Sequence, residues 1–366
     1  CCYAGSGILY ALGASNSPTS YPANPALALG VDPVTNIPNG QSVEAWAALP
    51  DTPTPYTEFY SLDTETQLPG KWIATIGYQH SQSHKGIRIL NRNFVEPANP
   101  RIFQAFFPTP DTNGQFDALN VEARRPLANN FALTVKYRWS KSIDELSNEG
   151  PGGQTNQMWP QNVRLDRGLS DYDARHSLMV YGLYEVPWLR RRTDVIGMVF
   201  GGWKLSGIYN FHTGFPWSPK YFTCVFLFGS CLSPIRPQAY LGGAGSNGST
   251  DAFISGSSTN NFPGGGPAFF VTNPAGGPPG IGRNSFTGPR YTDVDLSFGK
   301  DTSLPWFGDR RSTLDLRADF FNVFNKLNLN PLGFFSGGTI VTDPHFGRSD
   351  AALAGRVIQL QAKFRF

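Results

Sequence analysis

The sequence predicts an all-β fold: an antiparallel transmembrane β-barrel portion of about nine strands, an up-and-down meander with short periplasmic turns and long extracellular loops. Three observations predict it. First, apolar and polar residues alternate strictly in stretches of about ten residues, as in the C-terminal RVIQLQAKFRF, where Ile358, Leu360, Ala362, Phe364 and Phe366 interleave with Gln359, Gln361, Lys363 and Arg365. Second, the connections between such stretches run short, long, short, long. Third, the composition suits strands and turns rather than helices. Gly and Pro number 40 and 30, aromatics make up 14% and charged residues 16%, against roughly 25% charged in an ordinary soluble domain.

Taken in chain order, residues 1–55 read as an extracellular loop region continuing from a missing upstream part, and 56–366 as the barrel portion. Residues 59–83 and 116–142 resemble each other: Leu62 matches Leu119, Glu65 matches Glu122, Pro69 matches Pro126 and Tyr78 matches Tyr137. Each reads as strand, tight turn, strand. A third pair, ARHSLMVYGLYEVPW and GGWKLSGIYNFHTG, flanks LRRRTDVIGMVF. A fourth, RYTDVDLSFGK and RSTLDLRADFFNVF, flanks DTSLPWFGDR, and the terminal strand follows. Short connections fall near Pro69, Pro126, Leu189 and Trp306. Long ones cover about 82–114, 142–171, 215–290 and 325–354. Structureless loops of that length count against a compact soluble domain. An outer-membrane barrel has this asymmetry, and parity then puts the terminal Phe366 in the periplasm.

Alternation assigns Lys136, Arg138, Asp293, Asp295, Asp315, Arg317 and Asp319 to the polar face, as lumen-facing candidates. In a dry core such charges would be costly; in a wet lumen they pair across strands or line a substrate path. Trp72, Tyr137, Trp139, Tyr184, Trp188, Trp203 and Tyr209 fall where aromatic girdles are expected. A secreted soluble β-sandwich, with the charges on its solvent face, is the competing fold.

The net charge of +3 and the lack of a Lys/Arg-rich run give no sign of nucleic-acid binding, and no run approaches the ~18 apolar residues of a spanning helix. With no initiating Met or signal-peptide pattern, the chain reads as the back end of something longer. Cys1 and Cys2 open it, Cys1 being open to lipidation. Cys224 and Cys231 either close a loop disulfide or stand as two thiols, and their spacing fits no common zinc pattern. No metal site, cofactor site or catalytic arrangement is expected. Asp171, Asp173 and His176 of DYDARH read as a structural loop-to-strand junction, His80 and His84 as surface histidines, and PGIGRNSFTG as a loop re-entering the wall, without the Lys-Ser/Thr of a P-loop. The 215–290 loop, with Tyr221, Phe222, Phe226 and Phe228, is the expected ligand contact.

Six segments in order, among them PYTEFYSLDTETQLPGKWIATIGYQHSQS, NVEARRPLANNFALTVKYRWSKSID, DYDARHSLMVYGLYEVPW and LRADFFNVFNKLNL, resemble the C-terminal barrel of TonB-dependent outer-membrane receptors, most closely the Oar-like group with a carboxypeptidase-regulatory-like domain. The resemblance covers roughly 53–366. It implies a non-enzymatic role in uptake of a nutrient across the outer membrane of a Gram-negative bacterium, with adhesion or surface interaction as the alternative. It also implies a lipid environment and a larger barrel holding an N-terminal plug, through which alone the TonB complex would be reached; neither plug nor TonB box is present. Finally, it makes Ile358, Leu360, Phe364 and Phe366 resemble the signal read by the barrel-assembly machinery.

Overall fold

The computed structural model describes residues 43–46, 52–91, 102–147, 162–189, 192, 194–221, 236–241, 270–271, 280–304, 312–332, 337–349 and 351–365. Cys224, Cys231, Phe222, Phe226, Phe228, Trp306, Phe366 and nearly all of 1–55 lie outside the described residues.

The chain forms β1 (Val43–Trp46), β2 (Tyr56–Leu68), β3 (Trp72–Asn91), β4 (Ile102–Ala128), β5 (Phe131–Asp144), β6 (Gly168–Leu169), β7 (His176–Glu185) and β8 (Trp203–His212). Short strands β9 (Pro216–Trp217), β10 (Ala239–Tyr240), β11 (Phe270–Val271) and β12 (Phe286–Thr287) follow, then β13 (Tyr291–Leu304), β14 (Ser312–Phe321) and β15 (Val357–Arg365). Nine of these make one wall in the order β15-β14-β13-β8-β7-β5-β4-β3-β2, with β1 paired to β4 and β6 to β5. Every neighbour in the wall is antiparallel. The sheet does not close on itself among the described residues. Its end strands β2 and β15 are exposed at every described position, which leaves two rows of edge groups.

The meander puts the three longest connections, 145–175, 213–290 and 322–356, on one rim. The turns on the other rim have their chemistry written in the chain. At Pro69–Lys71 the backbone turns through Gly70 (φ 78°) and Lys71 (φ 65°), and at β4–β5 through Asn129 (φ 52°) and Asn130 (φ 65°). Two successive left-handed residues match the right-handed twist of a hairpin, and Asn tolerates that region better than most residues.

Three connections differ from expectation. The 82–114 segment is mostly strand, since β3 runs to Asn91 and β4 starts at Ile102. The link near Leu189 is not a tight turn but holds a helix, Val195–Phe200, whose N-cap Asp194 accepts a hydrogen bond from the Gly197 amide. The 215–290 connection is not structureless; it carries β9 to β12.

Register fixes the two faces. One row reads Leu360, Ala318, Phe298, Leu205, Tyr184 and Phe131 across six strands. Another reads Val294, Tyr209, Val180, Val135, Ala123, Ala74 and Thr66. The opposite face carries Asp293, Asn210, Met179, Lys136, Glu122, Thr75 and Glu65. Among the described residues no second layer covers the apolar face: β14 makes its main contacts with β13 and β15, and Leu316 is 41% exposed. On that face Tyr137, Trp139 and Tyr78 stand toward the long-connector rim, and Tyr184, Trp203 and Trp72 toward the short-turn rim. Along β7 the levels of Trp139 (opposite His176) and Tyr184 are eight residues apart, roughly 26 Å at ~3.3 Å per residue. That matches the ~25 Å apolar band of a spanning barrel wall.

Among the described residues the compact core lies in the connectors, where Trp217, Tyr221, Phe270, Phe286, Leu332, Val341 and Phe346 are buried together. Trp217 contacts Phe286 and Phe346 at ring-centroid distances of 5.2 and 5.5 Å.

Candidate functional site: a polar cavity under a folded loop cap

The core just described is the apolar half of a cap formed by the long connectors. Its polar half is built on two arginines. Arg236 is 3% exposed; its Nη1 pairs with the Asp166 carboxylate at 2.6 Å, and it donates to the carbonyls of Leu165 (3.0 Å) and Ile281 (2.9 Å). Arg283 donates to the backbone oxygens of Asp166 (2.7 Å) and Asp144 (2.6 Å), to Ser147 Oγ (3.0 Å) and to the carboxylate of Asp144. Asp171 lies 3.4 Å away and accepts a 2.6 Å bond from Asn284 Nδ2. A buried guanidinium with its donors directed at carbonyls and carboxylates ties segments that no ladder joins. Here it fixes residues 144–147 and 165–171 against 281–284.

Beneath the cap, on the polar side of the wall, lies a cavity of about 570 Å³, within the range of small-molecule sites. Its wall is rich in hydroxyls, including Ser81, Thr112, Ser140, Ser142, Ser170 and Ser177, and it presents the rings of Phe116, Tyr172, His212 and Phe215. Arg138 is the one Lys or Arg in its lining among the described residues.

The structure distributes the residues singled out from sequence. All seven charged candidates share one face by register, and of these only Arg138 lines the cavity, with its Nε donating to Asn120 at 2.8 Å. Lys136 pairs with Glu122 (3.2 Å), Asp315 with Arg365 (2.9 Å), and Asp319 with Arg317 (2.7 Å). Asp295 accepts from the Asn322 amide at 2.9 Å, and Asp293 Oδ1 is enclosed without a hydrogen-bond partner among the described residues. In β15, Ile358, Leu360 and Phe364 lie opposite Phe320, Ala318 and Leu314. Within DYDARH, Asp171 serves the cap, Asp173 accepts from the Ser142 amide (2.6 Å) and pairs with Arg175, and His176 bonds the Tyr137 hydroxyl (2.7 Å). His80 meets Asp117 at 2.8 Å and His84 stacks on Tyr56. Arg236, Arg283, Asn284, Trp217 and Phe286 were not picked out as a site. PGIGRNSFTG holds Arg283, Asn284 and Phe286, and its Gly280 and Gly288 mark close backbone approaches to Gln238 and Phe215; no local pattern marks Arg236 or Trp217.

Lys220, 3% exposed, sits in the cap, and its backbone pairs with Thr339 and Val341. Burial pushes its ammonium from 10.5 down to about 7, against the pull of the Asp171 carboxylate. An unfolded lysine holds its proton to about 10.5, so between pH 7 and 10.5 the unfolded cap binds more protons than the folded one. Cap stability therefore rises with pH across that window, by at most about 1.4 kcal/mol per unit, and is flat below it. Limited proteolysis of the connectors is expected to slow from pH 7 to 9.5. Lys220→Met is expected to remove that slope; an unchanged slope in the variant would contradict the assignment.

A bare apolar face, a charged opposite face and long connectors on one rim identify a membrane wall in geometry, and comparison with known families agrees. The outer membrane beta barrel domain family matches residues 7–359. The chain belongs to this family. The barrel domain therefore resides in the outer membrane of a Gram-negative bacterium, and its apolar rows face lipid. No curated protein matches it. Among solved structures it is similar to the ferripyoverdine receptor of the outer membrane of Pseudomonas aeruginosa bound to ferripyoverdine, at 11% identity and TM-score 0.43, covering 84% of this chain and 27% of that one. It is also similar to the receptor in the FpvAI–pyocin S2 complex, at 11% identity and TM-score 0.42, with the same coverage. The barrel domain thus spans about 27% of the length of these structures.

Proposed function

We propose that the chain is the C-terminal portion of the barrel of a TonB-dependent receptor of the Oar-like group, taking up a nutrient rather than catalysing a reaction. The observation that carries this reading is the cavity. It lies on the charged side of the wall, directly under connectors that are folded and stapled into a cap, which is where a receptor would hold its substrate before passage. The ordered sequence motifs of the receptor barrel support the same reading. The long connectors then face the cell exterior and the short turns the periplasm. Further strands, from outside this chain, complete the barrel along the exposed edges of β2 and β15, and an N-terminal plug supplies the coupling to TonB. The paired charges of the inner face, such as Lys136–Glu122 and Arg365–Asp315, hold register in a hydrated lumen.

Energised uptake is the test. Cells carrying the complete gene are grown on nutrient pools as the limiting source, with and without collapse of the proton gradient. The proposal expects a growth or uptake phenotype on gene deletion, and substrate that still binds cells but no longer enters when the gradient is collapsed. Adhesion to surfaces that depends on the gene, with no uptake phenotype, would replace it with the interaction reading.

A further inference from the structure

The lining of the cavity selects among substrate classes, and we infer that its ligand is a neutral, hydroxyl-rich molecule of the oligosaccharide class. This rests on the uptake reading for its biological meaning but not for its chemistry. Three features of the lining carry it.

Charge is the first. A multiply anionic ligand, such as a carboxylate-rich metal chelate, calls for several convergent cations. Among the described residues, Arg138 is the single Lys or Arg in the lining. The lining carboxylates are committed elsewhere: Asp144 to Arg283, and Asp173 to Arg175 and the Ser142 amide. The described lining therefore holds no cluster of unpaired charge of either sign.

Hydrogen-bonding capacity is the second. The hydroxyls of Ser81, Thr112 and Ser177 have no hydrogen-bond partner among the described residues, and Arg138 uses its Nε alone, leaving both terminal amino groups. Hydroxyls both donate and accept, so a wall of them suits a ligand that does the same at many positions.

Aromatic surface is the third. Phe116 is half-buried on the same face as Ser81 and Ser142, which lie opposite it in the register. Phe215 rests against His212 at 4.9 Å. Sugar rings present apolar C–H faces between hydroxyl edges, and aromatic rings offer the complementary electron-rich face. A lining of serines interrupted by Phe116 and Phe215 has that alternating character.

The test uses the complete receptor, purified in detergent, titrated with maltotetraose, xylotetraose and cellotetraose, and separately with ferric citrate and triglycine. At least one tetrasaccharide is expected to bind saturably, with a Kd unchanged between 0.05 and 0.5 M NaCl. Phe116→Ala is expected to weaken that binding tenfold or more, and Arg138→Gln only severalfold. Ser81→Trp, which fills the cavity, serves where Phe116→Ala does not assemble. Failure of all three glycans to saturate would overturn the inference. So would salt-sensitive ferric citrate binding abolished by Arg138→Gln, or triglycine binding weakened by the same variants. Glycan binding without energised uptake would leave the inference standing and remove the transport reading; energised uptake of an anion would do the reverse.

Discussion

Arg283→Met is expected to unfasten the cap. The side chain is 2% exposed, and its donors meet Asp144, Ser147 and two backbone carbonyls at once. Removing it leaves the Asp144 carboxylate, about 10% exposed, without its counter-charge in a poorly hydrated site. Breaking one side of a buried pair costs about 3–5 kcal/mol. That loss falls on the connectors rather than on the wall, because the strand ladders do not involve Arg283. The expected result is rapid proteolysis within 144–175 and 280–290, loss of ligand binding at the cavity, and unchanged heat-modifiable gel mobility of the barrel. Arg192→Ala breaks an exposed pair with Asp194 on the opposite rim and is expected to leave the cap intact. The double change Arg283→Met with Asp144→Leu is expected to recover part of the protection, since it removes the stranded charge as well. Cleavage equally slow in wild type and Arg283→Met would mean that the aromatic cluster alone holds the cap.

The second large effect is expected in the wall. Val180 is one of the two middle residues of β7 and lies in the apolar row between Tyr209 and Val135. Val180→Arg puts a guanidinium at mid-membrane on the lipid side, a cost of about 2–4 kcal/mol. Asn210→Arg, in the adjacent strand, joins a row holding Asp293 on the hydrated side and is expected to be tolerated. Urea titration of the folded, heat-modifiable form should show a lower midpoint for Val180→Arg and a near-native one for Asn210→Arg. Equal midpoints would mean that the two faces do not differ in solvent.

How much of this was legible in the chain depends on the range over which each residue's partners lie. In β13, Val294, Leu296 and Phe298 alternate with Asp293, Asp295 and Ser297, and in β14 the alternation is as clean, so both strands and both faces could be read directly. In β7 they could not: Met179, Tyr181 and Leu183 are apolar yet lie on the charged face, and only pairing with β5 and β8 assigns them. The extension of β3 and β4 was hidden by Pro108 and Pro110, which normally argue against strand. They are accommodated because Pro108 and Pro110 fall between the β1 pairing, which ends at Phe106, and the β5 pairing, which starts at Gly114, so an amide missing on that side breaks no ladder among the described residues. The cap was illegible for a different reason. Trp217, Phe286 and Phe346, or Arg236 and Asp166, are joined over 60 residues or more of chain, and no local pattern announces such contacts. Of the charged face, Arg138 could be listed by alternation, but nothing in its neighbourhood of sequence set it apart from Lys136, which turns out to be paired.

Everything above depends on which solvent each face of the wall meets, and β5 allows the most direct measurement. Single cysteines at positions 133 to 138, in a background with the four native cysteines replaced, are spin-labelled in reconstituted outer membranes and their collision rates with oxygen and with a polar nickel chelate compared. Positions 133, 135 and 137 should favour oxygen, and positions 134, 136 and 138 the chelate, with a strict period of two. Chelate-accessible labels at 133, 135 and 137, or no alternation at all, would contradict a wall with lipid on one side and water on the other.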